Sequence, residues 1–222
     1  MDFDSFVLAA ATADLTDEPA AREHADALEF RMDLANDPLS ALETYDGELP
    51  ILATNRAEWE GGEAAEEGRL AALAEATGID AVEAIDVELA SILDGEADDL
   101  LETARERGVA VIASAHDFEG TPPRGEMVKT LTEARKYADV AKLAVTATST
   151  WDTLALLSAT EQLTAHGDTV ATMAMGETGS HTRAVAPVYG SKIGYAPVDP
   201  ADATAPGQYD LETLSRLVAA LE

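Results

Sequence analysis

The sequence predicts a closed (β/α)8 TIM barrel, and three observations predict it. Eight apolar runs of β type alternate with helical patterns along the chain, which argues for a parallel sheet with crossover helices. The length of 222 residues sits at the small end of the range for such barrels. Polar residues interrupt the runs near their C-terminal ends, where barrels of this kind carry their sites. A doubly wound open sheet is the alternative, but no glycine-rich phosphate loop follows the first run. With no repeat and no low-complexity linker, residues 1–222 are expected to form one domain.

In chain order, strand one is expected at 6–10 and a helix at 20–27, after the start signal Asp17-Glu18-Pro19. Strand two follows at 28–34, a short helix at 38–44 and strand three at 50–54. The helix over 64–77 is stopped by Gly78. Strand four is placed at 81–89, a helix at 94–107 closed by Gly108, and strand five at 109–115. A helix at 124–137 carries basic residues in its last turn, then come strand six at 140–145 and a helix at 150–166. Strand seven covers 169–175, an irregular stretch runs to Ser191, and strand eight is a short run at 192–196. The closing helix, 210–221, takes Asp210 as its N-cap.

Charge narrows the function classes. Asp plus Glu number 43 against 14 Lys plus Arg, a net charge of −29 at pH 7. Such a field repels nucleic acid and anionic membranes. The acids are spread along the chain rather than gathered in a tail, which suits a surface kept soluble at high salt. The absence of cysteine excludes disulfides and thiol catalysis and favours the cytoplasm. The start, Met1-Asp2-Phe3-Asp4, is acidic where a signal peptide is basic. The apolar run 6–11 is too short to span a bilayer.

Within strand two, period-two alternation puts Glu29, Arg31 and Asp33 on one face and Leu28, Phe30 and Met32 on the other. In a barrel the charged face would turn inward, which is costly unless the charges are paired or functional. Similar oddities recur at Thr54-Asn55-Arg56 with Glu60-Gly61-Gly62, at Asp86 and Glu88, at Ser114-Ala115-His116-Asp117, and at Met173 and Met175. Lys142 lies in the apolar run 141–145. Apolar surroundings disfavour its ammonium form, and a neutral amine attacks ketones to give Schiff bases. His24, His166 and His181 fall on predicted helices or loops and read as surface.

Taken together, Glu-Phe-Arg-Met-Asp at 29–33, Thr-Asn-Arg with Glu60-Gly-Gly, Ser-Ala-His-Asp-Phe at 114–118, Lys142, Thr-Met-Ala-Met at 172–175, Arg183 and Ala-Pro-Gly-Gln at 205–208 resemble the type I 3-dehydroquinate dehydratases over almost the whole chain. The resemblance implies a TIM barrel, usually a homodimer, without metal or organic cofactor. It also implies the dehydration of 3-dehydroquinate to 3-dehydroshikimate in the shikimate pathway. By the same resemblance Lys142 is the Schiff-base lysine and His116 the proton shuttle, with Glu60 and Asp86 as carboxylates near the histidine. Glu29 and Arg31 would hold the ring hydroxyls, and Arg56, Arg183 and Gln208 would surround the substrate carboxylate. Met173 and Met175 would form the apolar wall beside the lysine. Thr204 stands where the family often has serine, Ala115 where it often has asparagine, and the strand-one serine of some members is not evident.

The chemistry suits these residues. A histidine titrating near neutrality can take a proton and return it, and a neighbouring carboxylate can set its tautomer. Arg183 can grip a carboxylate bidentately. The segment 196–208, with Pro197, Pro200 and Pro206, is expected to close over the imine as a lid. A Schiff-base aldolase on the same fold is the enzymatic rival, but no glycine run for phosphate follows strands seven and eight.

Overall fold

Eight parallel strands form a nearly closed barrel in the computed structural model, which describes residues 1–199, 201 and 207–221. The elements run β1 (Val7–Thr12), α1 (Glu18–Ala21), β2 (Ala27–Arg31), α2 (Pro38–Glu43), β3 (Ile51–Thr54), α3 (Arg69–Ala76), β4 (Val82–Glu88), α4 (Leu89–Leu93) and α5 (Asp98–Arg107). They continue with β5 (Ala110–Asp117), α6 (Arg124–Ala134), β6 (Val140–Thr146), α7 (Thr150–Ala165), β7 (Val170–Met175), α8 (Thr182–Val185), β8 (Ile193–Pro197) and α9 (Leu211–Ala219). The sheet order is β7-β6-β5-β4-β3-β2-β1-β8: β1 to β7 pair with their sequence neighbours, and β8 pairs with β1. Between β7 and β8 there is no ladder. The Lys192 N–H donates to the Val170 carbonyl at 2.8 Å, and the Thr172 N–H donates to Ser191 Oγ at 3.0 Å.

Strand alternation divides the apolar residues into two cores. Leu28, Phe30, Ile85 and Val87 face the helices in the outer core. Burying a side chain the size of Phe30 stabilises the fold by about 1.5–3 kcal/mol. Ala27, Leu52, Ala84, Ile112, Val140 and Ala171 face inward and fill the lower barrel. Two residues further along, the same inward face turns polar: Glu29, Thr54, Asp86, Ser114 and Lys142 are all buried. The change from apolar to polar along one face is what floors the site and opens it at the C-terminal ends of the strands.

The eight strands lie where the apolar runs placed them, with ends shifted by at most three residues. β2 stops at Arg31, because Met32–Leu34 turn into a 3-10 helix. The first helix is a four-residue turn, Glu18–Ala21. The helix expected over 64–77 begins only at Arg69: the Ala64 N–H donates to the Arg56 carbonyl and ties this stretch back as a loop. Unforeseen are α4 directly after β4, and α8 within the irregular stretch after β7. Asp210 caps α9 as expected, accepting the Thr213 N–H at 2.9 Å. Among the described residues, no helix is long and apolar enough to cross a membrane. Of the lid expected over 196–208, residues 200 and 202–206 lie outside the described residues, and Thr204 is among these.

Candidate active site

A cavity of about 80 Å³ opens at the C-terminal mouth of the barrel. It gathers Glu29, Arg31, Arg56, Glu60, His116, Lys142, Met173, Met175, Arg183 and Gln208. A larger hollow of about 740 Å³ lies at the opposite end, around Met1 to Asp4 and the starts of β5 and β6, and holds none of these residues. Lys192 is also at that end. It precedes β8 instead of lying in it, and its ammonium meets the Asp4 carbonyl.

Lys142 is 5% exposed and projects from the middle of β6. Its Nζ donates to Asp86 Oδ2 at 2.8 Å and lies 4.3 Å from the centroid of the Tyr195 ring. The other oxygen, Asp86 Oδ1, accepts from Arg56 Nη2 at 2.7 Å and Ser114 Oγ at 2.6 Å. Burial alone would raise the Asp86 pKa. The Arg56 and Lys142 charges and these hydrogen bonds outweigh it and hold the carboxyl well below its usual range. Asp86 is thus hydrogen-bonded to the lysine, and its charge also reaches the histidine, near which the resemblance had placed it.

The network continues beneath. Arg56 Nη1 donates to Glu88 Oε1 at 2.9 Å and to Ser114 Oγ at 2.8 Å. Glu88 also accepts the Ala57 N–H at 3.1 Å and the guanidinium of Arg69, which is 2% exposed. Burial would lower the Arg56 pKa, but Asp86 and Glu88 outweigh it and raise it above its ordinary value. Arg56 lines the cavity with its guanidinium bonded to Asp86, Glu88 and Ser114.

His116 stands one pleat above the lysine on the neighbouring strand, since Ser114 pairs with Lys142 and His116 with Ala144. Its Nδ1 lies 2.5 Å from Glu60 Oε2, on the 3-10 turn after β3. Phe118 stacks on the imidazole, with ring centroids 5.8 Å apart and planes 9° from parallel. Burial, together with the Arg56 and Lys142 charges, pushes the His116 pKa well below its ordinary value, not near neutrality as expected from its residue type. Burial raises Glu60 to about 7. The imidazole is thus a neutral base with a carboxyl behind it.

On the opposite wall, Arg31 is clamped by Asp33, Nε to Oδ1 at 2.8 Å and Nη2 to Oδ2 at 2.6 Å. Glu29 Oε1 accepts the Thr54 hydroxyl at 3.1 Å. Arg183 comes from the α8 turn after β7, is 4% exposed, and forms no ion pair with a described carboxylate. Burial lowers its pKa to about 10, which leaves it a full cation at neutral pH. Met173 and Met175 line the remaining side. The site thus pairs a buried lysine with a neutral imidazole, and faces both with a cation, Arg183, that has no ion-pair partner among the described residues. Glu88 and Ser114, singled out in the sequence as polar oddities but given no role, and Tyr195, which sequence reasoning missed, lie on inward positions of their strands, a signal that period-two counting gives. Arg69, at the start of a helix, gave none.

The sequence model of the type I 3-dehydroquinase family matches residues 6–222. The 3-dehydroquinate dehydratase of Haloarcula marismortui is 59% identical over 226 residues, covering all of this chain and 99% of that protein. The solved structure of the 3-dehydroquinate dehydratase from Geobacillus kaustophilus HTA426 aligns with a TM-score of 0.88 at 28% identity, over 98% of this chain and 91% of that one. A Type I 3-dehydroquinate dehydratase from Clostridium difficile with covalent modified comenic acid gives 0.85 at 27% identity, over 98% and 92%.

Proposed function

This chain belongs to the type I 3-dehydroquinase family, the hydro-lyases that dehydrate 3-dehydroquinate to 3-dehydroshikimate in the shikimate pathway of aromatic amino acid biosynthesis, and from that premise we propose that its barrel mouth performs the reaction through a Schiff base on Lys142. The observation that carries the reading is the pairing of β5 with β6, which sets His116 one pleat above Lys142 in one cavity. The Clostridium difficile relative, solved with covalent modified comenic acid, supports covalent chemistry in the family.

The substrate is a β-hydroxy ketone with a carboxylate. Lys142 Nζ attacks the C3 ketone, and water leaves as the iminium forms. The iminium acidifies the C2 proton, which neutral His116 accepts. The electron pair released at C2 expels the C1 hydroxyl, which departs as water with the proton that His116 returns. A second water hydrolyses the imine, freeing the product and the amine. Counting the water taken up, one water is lost overall. Asp86 keeps the lysine in place and, held in its charged form, is a poor acceptor for the ammonium proton. The neutral His116 stands one pleat above the lysine, where it can relay protons. Glu60 sets its tautomer, Arg183 and Gln208 meet the substrate carboxylate, and Glu29 and Arg31 meet the ring hydroxyls. The two methionines keep water from the imine.

The whole chain is read as one catalytic domain, working as a homodimer in the cytoplasm at high salt. The family resemblance supports the dimer, and Trp151 and Leu154, exposed nearly one turn apart on α7, supply apolar surface. The composition and the Haloarcula relative support the salt adaptation. Borohydride reduction tests the mechanism. Incubation with 3-dehydroquinate and reduction should add mass to the peptide carrying Lys142. Lys142→Ala should lose both adduct and turnover, while His116→Ala should keep the adduct and lose roughly two to four orders of magnitude in rate. Label on Lys192, or dehydration without label, overturns the assignment of the Schiff base to Lys142.

A further inference from the structure

Among the described residues, four buried side-chain atoms have no hydrogen-bond partner, and two of them are Arg183 Nε and the Tyr195 hydroxyl. Both residues are 4% exposed, and both line one cavity of about 10 Å³ at the seam between β7 and β8. That volume is about what one water requires, and a buried water also needs two or more polar partners. A buried donor or hydroxyl left unpaired is unfavourable, and a bridging water relieves it nearly as well as a direct bond.

We propose that Tyr195 is a positioning residue for the dehydration: through one ordered water in the seam cavity, its hydroxyl orients the guanidinium of Arg183. The water accepts the Arg183 Nε–H and donates to the Tyr195 oxygen. This engages the inner edge of the guanidinium and turns Nη1 and Nη2 toward the mouth. The other arginines of the site are fixed by carboxylates, Arg31 by Asp33 and Arg56 by Asp86 and Glu88. A carboxylate beside Arg183 would compete with that of the substrate, and a water does not. The missing ladder at the seam is what leaves room for it. The inference rests on the reading of Arg183 as the grip on the substrate carboxylate.

Tyr195→Phe tests it, because phenylalanine keeps the ring beside Lys142 and removes only the hydroxyl. The substitution should raise KM for 3-dehydroquinate about three- to tenfold and leave kcat within about twofold. In an Arg183→Gln background its effect on KM should vanish. A high-resolution crystal structure of the wild type should show ordered density within about 3.2 Å of both Arg183 Nε and the Tyr195 oxygen. Equal effects of Tyr195→Phe in both backgrounds, a fall in kcat alone, or no such density overturns the proposal. An Arg183→Gln enzyme with unchanged KM would overturn the carboxylate grip and the positioning role together. A raised KM in Arg183→Gln without coupling to Tyr195 removes the positioning role alone.

Discussion

His116 Nδ1 lies 2.5 Å from Glu60 Oε2, so the histidine is oriented from the turn after β3 and not by Asp86 on β4. Burial and two nearby cations keep the imidazole neutral at pH 7, while burial raises Glu60 to about 7. Above that pH Glu60 is a carboxylate. It accepts the Nδ1 proton and leaves Nε2 free as the base. Below it, Glu60 carries its own proton and donates it to Nδ1, which puts the imidazole proton on Nε2 and blocks proton abstraction.

It follows that kcat/KM should fall as pH drops through about 7, the Glu60 value, with the imidazole itself still uncharged. Glu60→Gln should abolish this limb and lower kcat by up to about 10⁴-fold, as for a histidine held in the wrong tautomer. The pH profiles of the two enzymes decide it. A limb near pH 7 surviving in Glu60→Gln would belong to another group.

Among the described residues, Asp86 is the sole carboxylate bonded to Lys142, and it also holds Arg56. Its folded pKa is depressed below the ordinary 3.8. The stability it lends is therefore present in full above about pH 4 and is lost as pH falls toward the folded value. Asp86→Asn leaves two buried cations short of a counter-charge and should cost about 3–5 kcal/mol. Denaturant midpoints across pH check both claims: the variant should be less stable at pH 7, with the gap closing in acid. Equal midpoints at pH 7 would mean that the network is not holding the barrel together.

Much of this was legible in the sequence, for physical reasons. In β2, charged and apolar residues alternate, and that pattern placed Glu29 and Arg31 inside and Phe30 outside. Lys142 stood out because a lysine within an apolar run has few benign locations. What the sequence hid were partnerships across strands. Whether Asp86 meets His116 or Lys142 depends on barrel curvature and side-chain reach, which spacing along the chain does not encode. The helix start at Arg69 was masked by the good helix formers before it, which the loop closure between Arg56 and Ala64 overrides. Lys192 looked like part of β8, but the strand begins one residue later, which leaves its side chain at the far end.

Salt should stabilise the fold. Among the described residues, the buried acidic residues are Glu18, Glu29, Asp86 and Glu88, so most of the 43 acids meet solvent. At low ionic strength the net charge of −29 repels itself, and screening relieves that repulsion. The thermal midpoint should rise as potassium chloride approaches molar levels, and KM for the anionic substrate should fall over the first few hundred millimolar. A flat or falling midpoint would instead favour a basic partner for the acidic surface.

Gly61 offers a test of the histidine's surroundings that touches no titrating group. It adopts φ 78°, and a Cβ there would lie 2.5 Å from Phe118 Cζ. Phe118 is the ring stacked on His116, and Gly61 directly follows Glu60. Gly61→Ala therefore acts twice: it strains a left-handed backbone, at about 1–2 kcal/mol, and it pushes Phe118 off the imidazole. Displacing the ring disturbs the geometry between His116 and Glu60, while Lys142 and Arg183 on the other strands stay in place. The expected signature is a tenfold or greater loss in kcat, in line with the sensitivity of rates to misplacements of about 1 Å, with KM and the borohydride-trapped adduct preserved. Gly61→Ala combined with Phe118→Leu should recover part of kcat, because the smaller side chain relieves the clash. If the double variant is no faster than Gly61→Ala, the backbone strain alone accounts for the loss and the stacked ring plays no part in holding the base.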